Sequence, residues 1–325
     1  MSLSPIGGDE AKGPFRMVSQ APFLAFDERY RHPREEFFHF LWGYLLPALY
    51  WISHRPDPSQ TTVRMVTCGP LMDPLAAEAI GMLGAKVEIL ADPPADEETV
   101  FLPRWDMALY RNLELFVPIE TDTGVVPRAL RIAAERFRRP KSLPRPFELL
   151  ALRKRITSVR NRLLPAALEI GLDRGAHGKV LILKRSEPPE FYKDGCGAKK
   201  KGYGTSRRAL IGIEQAAAEL ERRGVPVAIF EPGGETLATQ IRAFHKAAGL
   251  VGIRGSEFAN LIWMKRGAQG VMLTPRSMQR THRLPKMISE VAEVSLVEME
   301  VDSDFPVLEA EKVLPFFLAP LGVNR

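Results

Sequence analysis

The chain has 325 residues, 45% of them hydrophobic and 26% charged, with a formal net charge of +6. That length exceeds what one hydrophobic core usually supports, so two domains are expected, and the balance excludes disordered and fibrous classes. Two cysteines, Cys68 and Cys196, without CxxC or Cys/His spacing, exclude a disulfide framework and a structural zinc site and fit a reducing compartment.

The N-terminal stretch MSLSPIGGDEAKGPF lacks the charged start and apolar run of a signal peptide, so a cytoplasmic placement is expected. Arg34 to Ile52 reads as a largely apolar helix. Its most apolar part, from Phe37, contains His39, Gly43 and Pro47 and is too short to span a bilayer. A buried helix is therefore expected, with peripheral membrane contact as the lesser reading. Strands are expected at Thr62 to Cys68, Lys86 to Leu90, Thr99 to Leu102 and Glu114 to Val117, with helices at Asp73 to Leu83 and Pro127 to Arg138. The proline-rich Pro140 to Phe147 reads as a linker. The following helix, Glu148 to Glu169, carries Arg153, Lys154, Arg155, Arg160 and Arg162, read either as a solvated face or as a surface for an acidic partner.

The second half repeats the alternation. Strands are expected at Lys179 to Lys184, Val225 to Phe230, Leu250 to Ile253 and Gly270 to Leu273, and helices at Arg208 to Arg223, Glu235 to Ala248 and Glu257 to Lys265. The order implies an α/β fold with parallel sheets. The expected division is a first domain at 1–147, an interdomain helix and linker at 148–175, a second domain at 176–301, and a C-terminal segment, 302–325, packing back towards the first domain.

The sharpest local feature is LVGIRGSEFANLIWM, Leu250 to Met264, where a buried strand runs through a Gly-x-x-Gly turn into a helix. The turn places Gly255, Ser256 and Glu257 at a helix start, where close backbone approach and unpaired N–H groups favour a phosphate. An ordinary tight connection is the competing reading. Arg185 follows a strand, and Arg207 and Arg208 precede a helix, positions from which guanidinium groups can converge on a diphosphate. The basic, glycine-rich loop between them reads as a lid or as an insertion. His39, within FFHFLWGYLLP, reads as a hydrogen-bonded core residue or as a base. No GxxxxGK[ST], early GxGxxG, HExxH or GxSxG is present, which removes the main support for kinase, dehydrogenase, metalloprotease and hydrolase readings.

Together these segments resemble glycosyltransferase family 61 over about Phe37 to Val301. The resemblance rests on FFHFLWGYLLP, on ETLATQIRAFHKAAG, on the arginines Arg185 and Arg207 or Arg208, and on VGIRGSEFANLIWMKRG with its following VML. The last string stands where the family has a motif close to GxHGAxLxN, with Arg254 in place of its histidine and Ser256 in place of its alanine.

The resemblance implies a GT-B fold, two Rossmann-like domains with parallel sheets facing across a cleft, and the nucleotide held by the second. It further implies an inverting transferase moving a sugar from a nucleotide donor, often UDP-linked, to a glycan acceptor, here in bacterial surface-polysaccharide synthesis. Arg185, Arg207, Arg208, Arg254 and the backbone at Gly255 and Ser256 are then expected to neutralise the leaving diphosphate. Glu257 or Asn260 orients the donor, and His39 is the base, with Asp106 as the alternative. The only DxD string, Asp302 to Asp304, lies beyond the expected strands, so a metal-independent mechanism without cofactor is expected. A pyruvyl transferase using phosphoenolpyruvate and a binding-only relative are the rival readings. Nucleic-acid binding lacks an aromatic and basic stacking motif.

Overall fold

The computed structural model describes residues 21–26, 34–94, 99–107, 109, 118–121, 124–127, 145–191, 204–281 and 283–318. In the first half, β1 (Phe23–Phe26), β2 (Thr62–Val66), β3 (Lys86–Leu90) and β4 (Thr99–Leu102) form a parallel sheet in the order β3-β2-β1-β4. Strand β2 buries Val63 and Met65 and leaves the residues between them half-exposed, the period of two expected of a strand. Between β1 and β2 lies one continuous helical run, α1 (Phe37–His39), a π-helical stretch Phe40–Leu45, and α2 (Leu46–Ser53). Helix α3 (Met72–Met82) joins β2 to β3.

The strand expected at Glu114 to Val117 lies outside the described residues, as does all but the first residue of the helix expected from Pro127. That proline ends β6 (Gly124–Pro127), which pairs antiparallel with β5 (Pro118–Thr121). The described end of the proline-rich segment already belongs to α4 (Arg145–Ile170).

The second half contains β7 (Val180–Leu183), β8 (Val227–Phe230), β9 (Gly249–Ile253), β10 (Gln269–Pro275) and β11 (Ser295–Val301), all parallel, in the order β11-β10-β9-β7-β8. Every residue of β7 and β9 is buried, as expected of central parallel strands covered on both faces. Helix α5 (Ile213–Arg222) begins later than its sequence suggests, because Ile211 bridges to Val307 and Gly212, at φ 71°, turns the chain into the helix. Helix α6 (Leu237–Lys246) starts on a Thr236 cap, and α7 (Arg283–Ala292) leads to β11. The segment after Gly255 is a 3₁₀ helix, Ser256–Trp263, where an α-helix was expected. Such runs seldom exceed about four residues. This longer one buries every residue from Phe258 to Trp263.

Helix α4 ties the halves together. Leu152, Ile156, Val159, Leu163 and Ala167 form a buried stripe at three- and four-residue spacing. The helix packs on α2 and α3 of the first half and on α6, α7 and the 3₁₀ helix of the second, so one core cluster runs through both. Its basic residues follow neither sequence reading alone: Arg153 donates to the Glu290 carbonyl at 2.8 Å and Arg160 to the Met264 carbonyl at 2.9 Å. The C-terminal helix, α8 (Ala310–Leu318), corrects another expectation. It packs on α5 and β10, with Val313 and Phe317 in the core of the second half, rather than towards the first. The apolar faces of α5 and β10 supply the partner it needs.

The strand orders fix where ligands gather. In the first sheet the chain leaves β1 for β2 on one side and returns with β4 on the other. In the second it leaves β7 for β8 and returns with β9. Crevices at the carboxyl ends of such reversals are where open α/β sheets bind ligands.

Candidate active site

A cavity of about 360 Å³ opens where β7, β8 and β9 end. Its second-half wall comes from segments that directly follow those strands: Ser186 after β7, Pro232, Gly233 and Gly234 after β8, and Ser256, Glu257 and Asn260 after β9. The opposite wall is apolar and comes from the first half: Phe37, Pro70, Leu71, Met72, Pro74 and Leu75. An apolar cavity with a few convergent polar groups is the usual form of a small-molecule site.

Arg185, only 7% exposed, donates through Nε to Glu257 Oε1 at 3.0 Å. Its Nη1, Glu257 Oε2 and the Ser186 hydroxyl are buried and have no hydrogen-bond partner among the described residues. Leaving such a group unsatisfied costs about 1–3 kcal/mol, so two on cavity-lining residues and a third on the adjoining Arg185 call for an explanation. Gly255 has an extended backbone that any residue adopts, yet a Cβ there would collide with Glu257 Oε2 and lie 3.3 Å from the Arg185 guanidinium carbon. Glycine leaves room for the ion pair to lie over the backbone. Gly233 likewise makes room for the Ser186 hydroxyl.

The remaining arginines divide. Arg208 donates through Nε to the Arg254 carbonyl at 3.1 Å and contacts Met278 Sδ. Burial, then the charges of Arg207 and Arg185, lower its pKa to about 10, which marks a local excess of positive charge. Arg254 does not line the cavity. Its Nη1 faces the Met278 carbonyl at 3.4 Å and Glu298 of β11 at 3.6 Å. Of the residues that leave β9, Ser256 and Glu257 edge the cavity and Arg254 does not. Asn260 fastens the wall. Its Nδ2 donates to Gln240 Oε1 at 2.9 Å, its Oδ1 accepts from Trp263 Nε1 at 3.0 Å, and Gln240 Nε2 donates to the Glu235 carbonyl. The amino end of α6 is closed to a ligand anion, because Glu78 of α3 accepts from the Leu237 and Ala238 N–H groups.

The two base candidates meet at the reversal of the first sheet. His39 Nδ1 donates to Asp106 Oδ2 at 2.9 Å, although 67 residues separate them. Arg104 donates to both oxygens of Asp106, at 3.1 and 2.6 Å, and through Nη1 to the Tyr44 hydroxyl at 3.0 Å; the Met107 N–H adds a fourth contact to the carboxylate. Gly43 permits this closeness, since a Cβ there would stand 2.9 Å from Asp106 Oδ1, and it lies in the π-helical stretch. Burial is the largest influence on Asp106 and raises its pKa, but the hydrogen bonds from His39 and Arg104 and their charges outweigh it and hold the carboxyl below its ordinary value. A fully buried carboxylate so engaged orients a histidine; it is not itself placed to exchange protons with a ligand. Neither His39 nor Asp106 lines the cavity, whereas Phe37, on the same helical run, does. That run is docked on the second half by Trp42, whose Nε1 donates to the Ala259 carbonyl at 3.3 Å.

Ser186 and Gln240 were not singled out by the sequence reading. Ser186 directly follows Arg185 at the strand end, and Gln240 belongs to the Gln-Ile pair of the resembling segment. Of the DSD string, Asp302 pairs with Arg276 and Asp304 accepts from Ser277. Among the described residues no helix is long and apolar enough to cross a membrane.

No curated protein matches the chain. The family model described as Glycosyltransferase 61 matches residues 37–271, and on that match the chain belongs to glycosyltransferase family 61 and is a glycosyltransferase.

Proposed function

We propose that the chain is an inverting, metal-independent enzyme of GT-B architecture, transferring a sugar from a UDP-linked donor to a glycan acceptor in bacterial surface-polysaccharide synthesis, in the cytoplasm. The observation that carries this reading is that two residues lining the cavity at the β7–β9 reversal present Ser186 Oγ and Glu257 Oε2, buried and partnerless among the described residues, with the equally unmatched Nη1 of Arg185 on the side chain paired to Glu257. Hydroxyls of a ribose or donor sugar satisfy Glu257, which can only accept, and diphosphate oxygens satisfy Arg185, which can only donate. The positive field of Arg185, Arg207 and Arg208 stabilises the departing diphosphate without requiring a metal. Reading the two sheets as GT-B halves is supported by a cavity walled from both, with the apolar first-half wall facing the acceptor.

In this reading the acceptor oxygen bonds to the anomeric carbon, the bond to the diphosphate oxygen breaks, and the acceptor proton leaves to a base. His39, held by Asp106 and two residues beyond the cavity-lining Phe37, is the candidate for that base, although it does not itself line the cavity. Replacing His39 by Asn is expected to lower kcat by roughly 10²- to 10⁴-fold with the donor KM unchanged.

A thermal-shift panel tests the donor class. UDP and UDP-sugars are expected to stabilise the chain by about 2.7 kcal/mol at roughly 100 times their Kd, with no effect from phosphoenolpyruvate and no loss of turnover in EDTA. Stabilisation by phosphoenolpyruvate alone would transfer the chain to the pyruvyl-transfer reading.

A further inference from the structure

We propose that a second pocket, on the first half and apart from the cavity above, is a docking subsite for a carboxylate-bearing glycan. It has a volume of about 320 Å³ and is walled chiefly by Tyr50, Trp51, His54, Arg55, Trp105 and Arg155. Trp105 is buried and packs edge-on against Tyr50 at 5.7 Å, forming a rigid aromatic floor. The Arg55 guanidinium lies over Trp51 at 4.7 Å, and that of Arg155 stands 5.9 Å from the Tyr50 ring. His54 is held to the same floor, its ring 4.2 Å from that of Tyr50 and its Nδ1 donating to the Tyr50 carbonyl at 2.7 Å. Because a carbonyl only accepts, Nδ1 carries the proton and Nε2 is left for a ligand.

The charge is one-sided. Among the described residues no carboxylate lines the pocket, and neither Arg55 nor Arg155 forms an ion pair. Guanidinium forks match a carboxylate in a bidentate geometry, and aromatic faces stack on the C–H face of a pyranose ring. A ring bearing a carboxylate answers both features at once.

Aromatic and arginine surfaces also stack nucleobases. A carbohydrate is favoured because the chain is a glycosyltransferase, and because the feature is one compact pocket rather than a basic stripe. The helical run from Phe37 to Ser53 links the two sites: Phe37 lines the catalytic cavity and Trp51 this pocket, roughly 20 Å apart at 1.5 Å per residue. One acceptor polymer can therefore engage both. The proposal rests on the family membership and is independent of the donor assignment.

Calorimetric titration of the full chain with an oligogalacturonate, and with a neutral galactan oligomer of equal length, tests it. The acidic oligomer is expected to bind and the neutral one to bind at least tenfold more weakly. Arg55→Ala and Trp51→Ala should each weaken binding roughly tenfold, and raised salt should weaken it further. Arg185→Ala should leave it unchanged, and Arg55→Ala should retain the UDP-induced thermal shift, which separates this site from the donor site. Arg155→Ala, on an exposed side chain, supplies the same comparison if Trp51→Ala fails to fold. Equal affinity for the neutral oligomer, no binding by the wild type, indifference to all three substitutions, or preference for a single-stranded oligonucleotide overturns the proposal.

Discussion

The two sheet reversals hold buried charge in opposite conditions. At the first, Asp106, Arg104, His39 and Tyr44 answer one another, and none of their polar atoms is among the buried groups lacking a partner. At the second, Arg185 and Glu257 are paired through one atom each, and a further polar atom of each stays unmatched beside an unmatched Ser186. Burial of charge therefore does not itself mark a ligand seat. A satisfied network fixes geometry, whereas an incomplete one is completed by whatever binds.

The comparison breaks most visibly at Asp106. Asp106→Asn removes the counter-charge of a fully buried Arg104, and a loss of about 3–5 kcal/mol of stability is expected in urea denaturation at neutral pH. The same carboxyl sets an acid limb. Its folded pKa lies below the ordinary 3.8, so its contribution is complete above that value and disappears as pH falls through the lowered one. Wild-type stability should therefore decline with acid below about pH 4, and the variant should decline less.

At the second reversal the expected loss is in activity. Arg185→Ala should reduce kcat/KM by roughly 10²- to 10³-fold, as for removal of one donor to developing negative charge, and should abolish stabilisation by UDP. Part of any lost stability will come from the stranded Glu257. Pairing Arg185→Met with Glu257→Gln should recover stability and leave transfer absent; recovery of transfer in the double variant would remove both residues from the donor site.

How far the sequence discloses these two regions differs for physical reasons. Strands β3 and β4 and the course of β7 and β9 follow from short apolar runs bounded by Gly, Pro and charged residues, so the strand ends carrying Arg185 and Gly255 are legible. Strand β1 is not. FLAF is four residues that become a strand only by pairing with β2 and β4, distant in sequence. Without β1 the reversal of the first sheet is invisible, and with it the meeting of His39 and Asp106, which the sequence offers as alternatives and the structure joins. Strand β11 and helix α7 were also missed, and the long 3₁₀ run was read as α-helical, because tertiary burial of Phe258 to Trp263 decides its form. The direction of Arg254 was likewise hidden, since it depends on which side of β9 each departing residue faces.

The finest test removes one hydroxyl from each region. Tyr44→Phe removes the hydroxyl that accepts from the buried Arg104 Nη1 at 3.0 Å, a hydrogen bond to a charged group, and a loss of about 1–3 kcal/mol is expected with the donor KM unaltered. Ser186→Ala removes a hydroxyl that bonds to nothing among the described residues, so the ligand-free chain should keep its stability or gain slightly. The cost should surface only with donor present, as a KM raised roughly fivefold, the equivalent of one ordinary hydrogen bond of about 1 kcal/mol. Opposite signs in the ligand-free chain are what the contrast requires: a network complete in itself loses by truncation, and an incomplete one does not until its ligand arrives. Equal destabilisation by the two changes would mean that Ser186 already has a structural partner, and the cavity would then lose one of the two unmatched groups that line it.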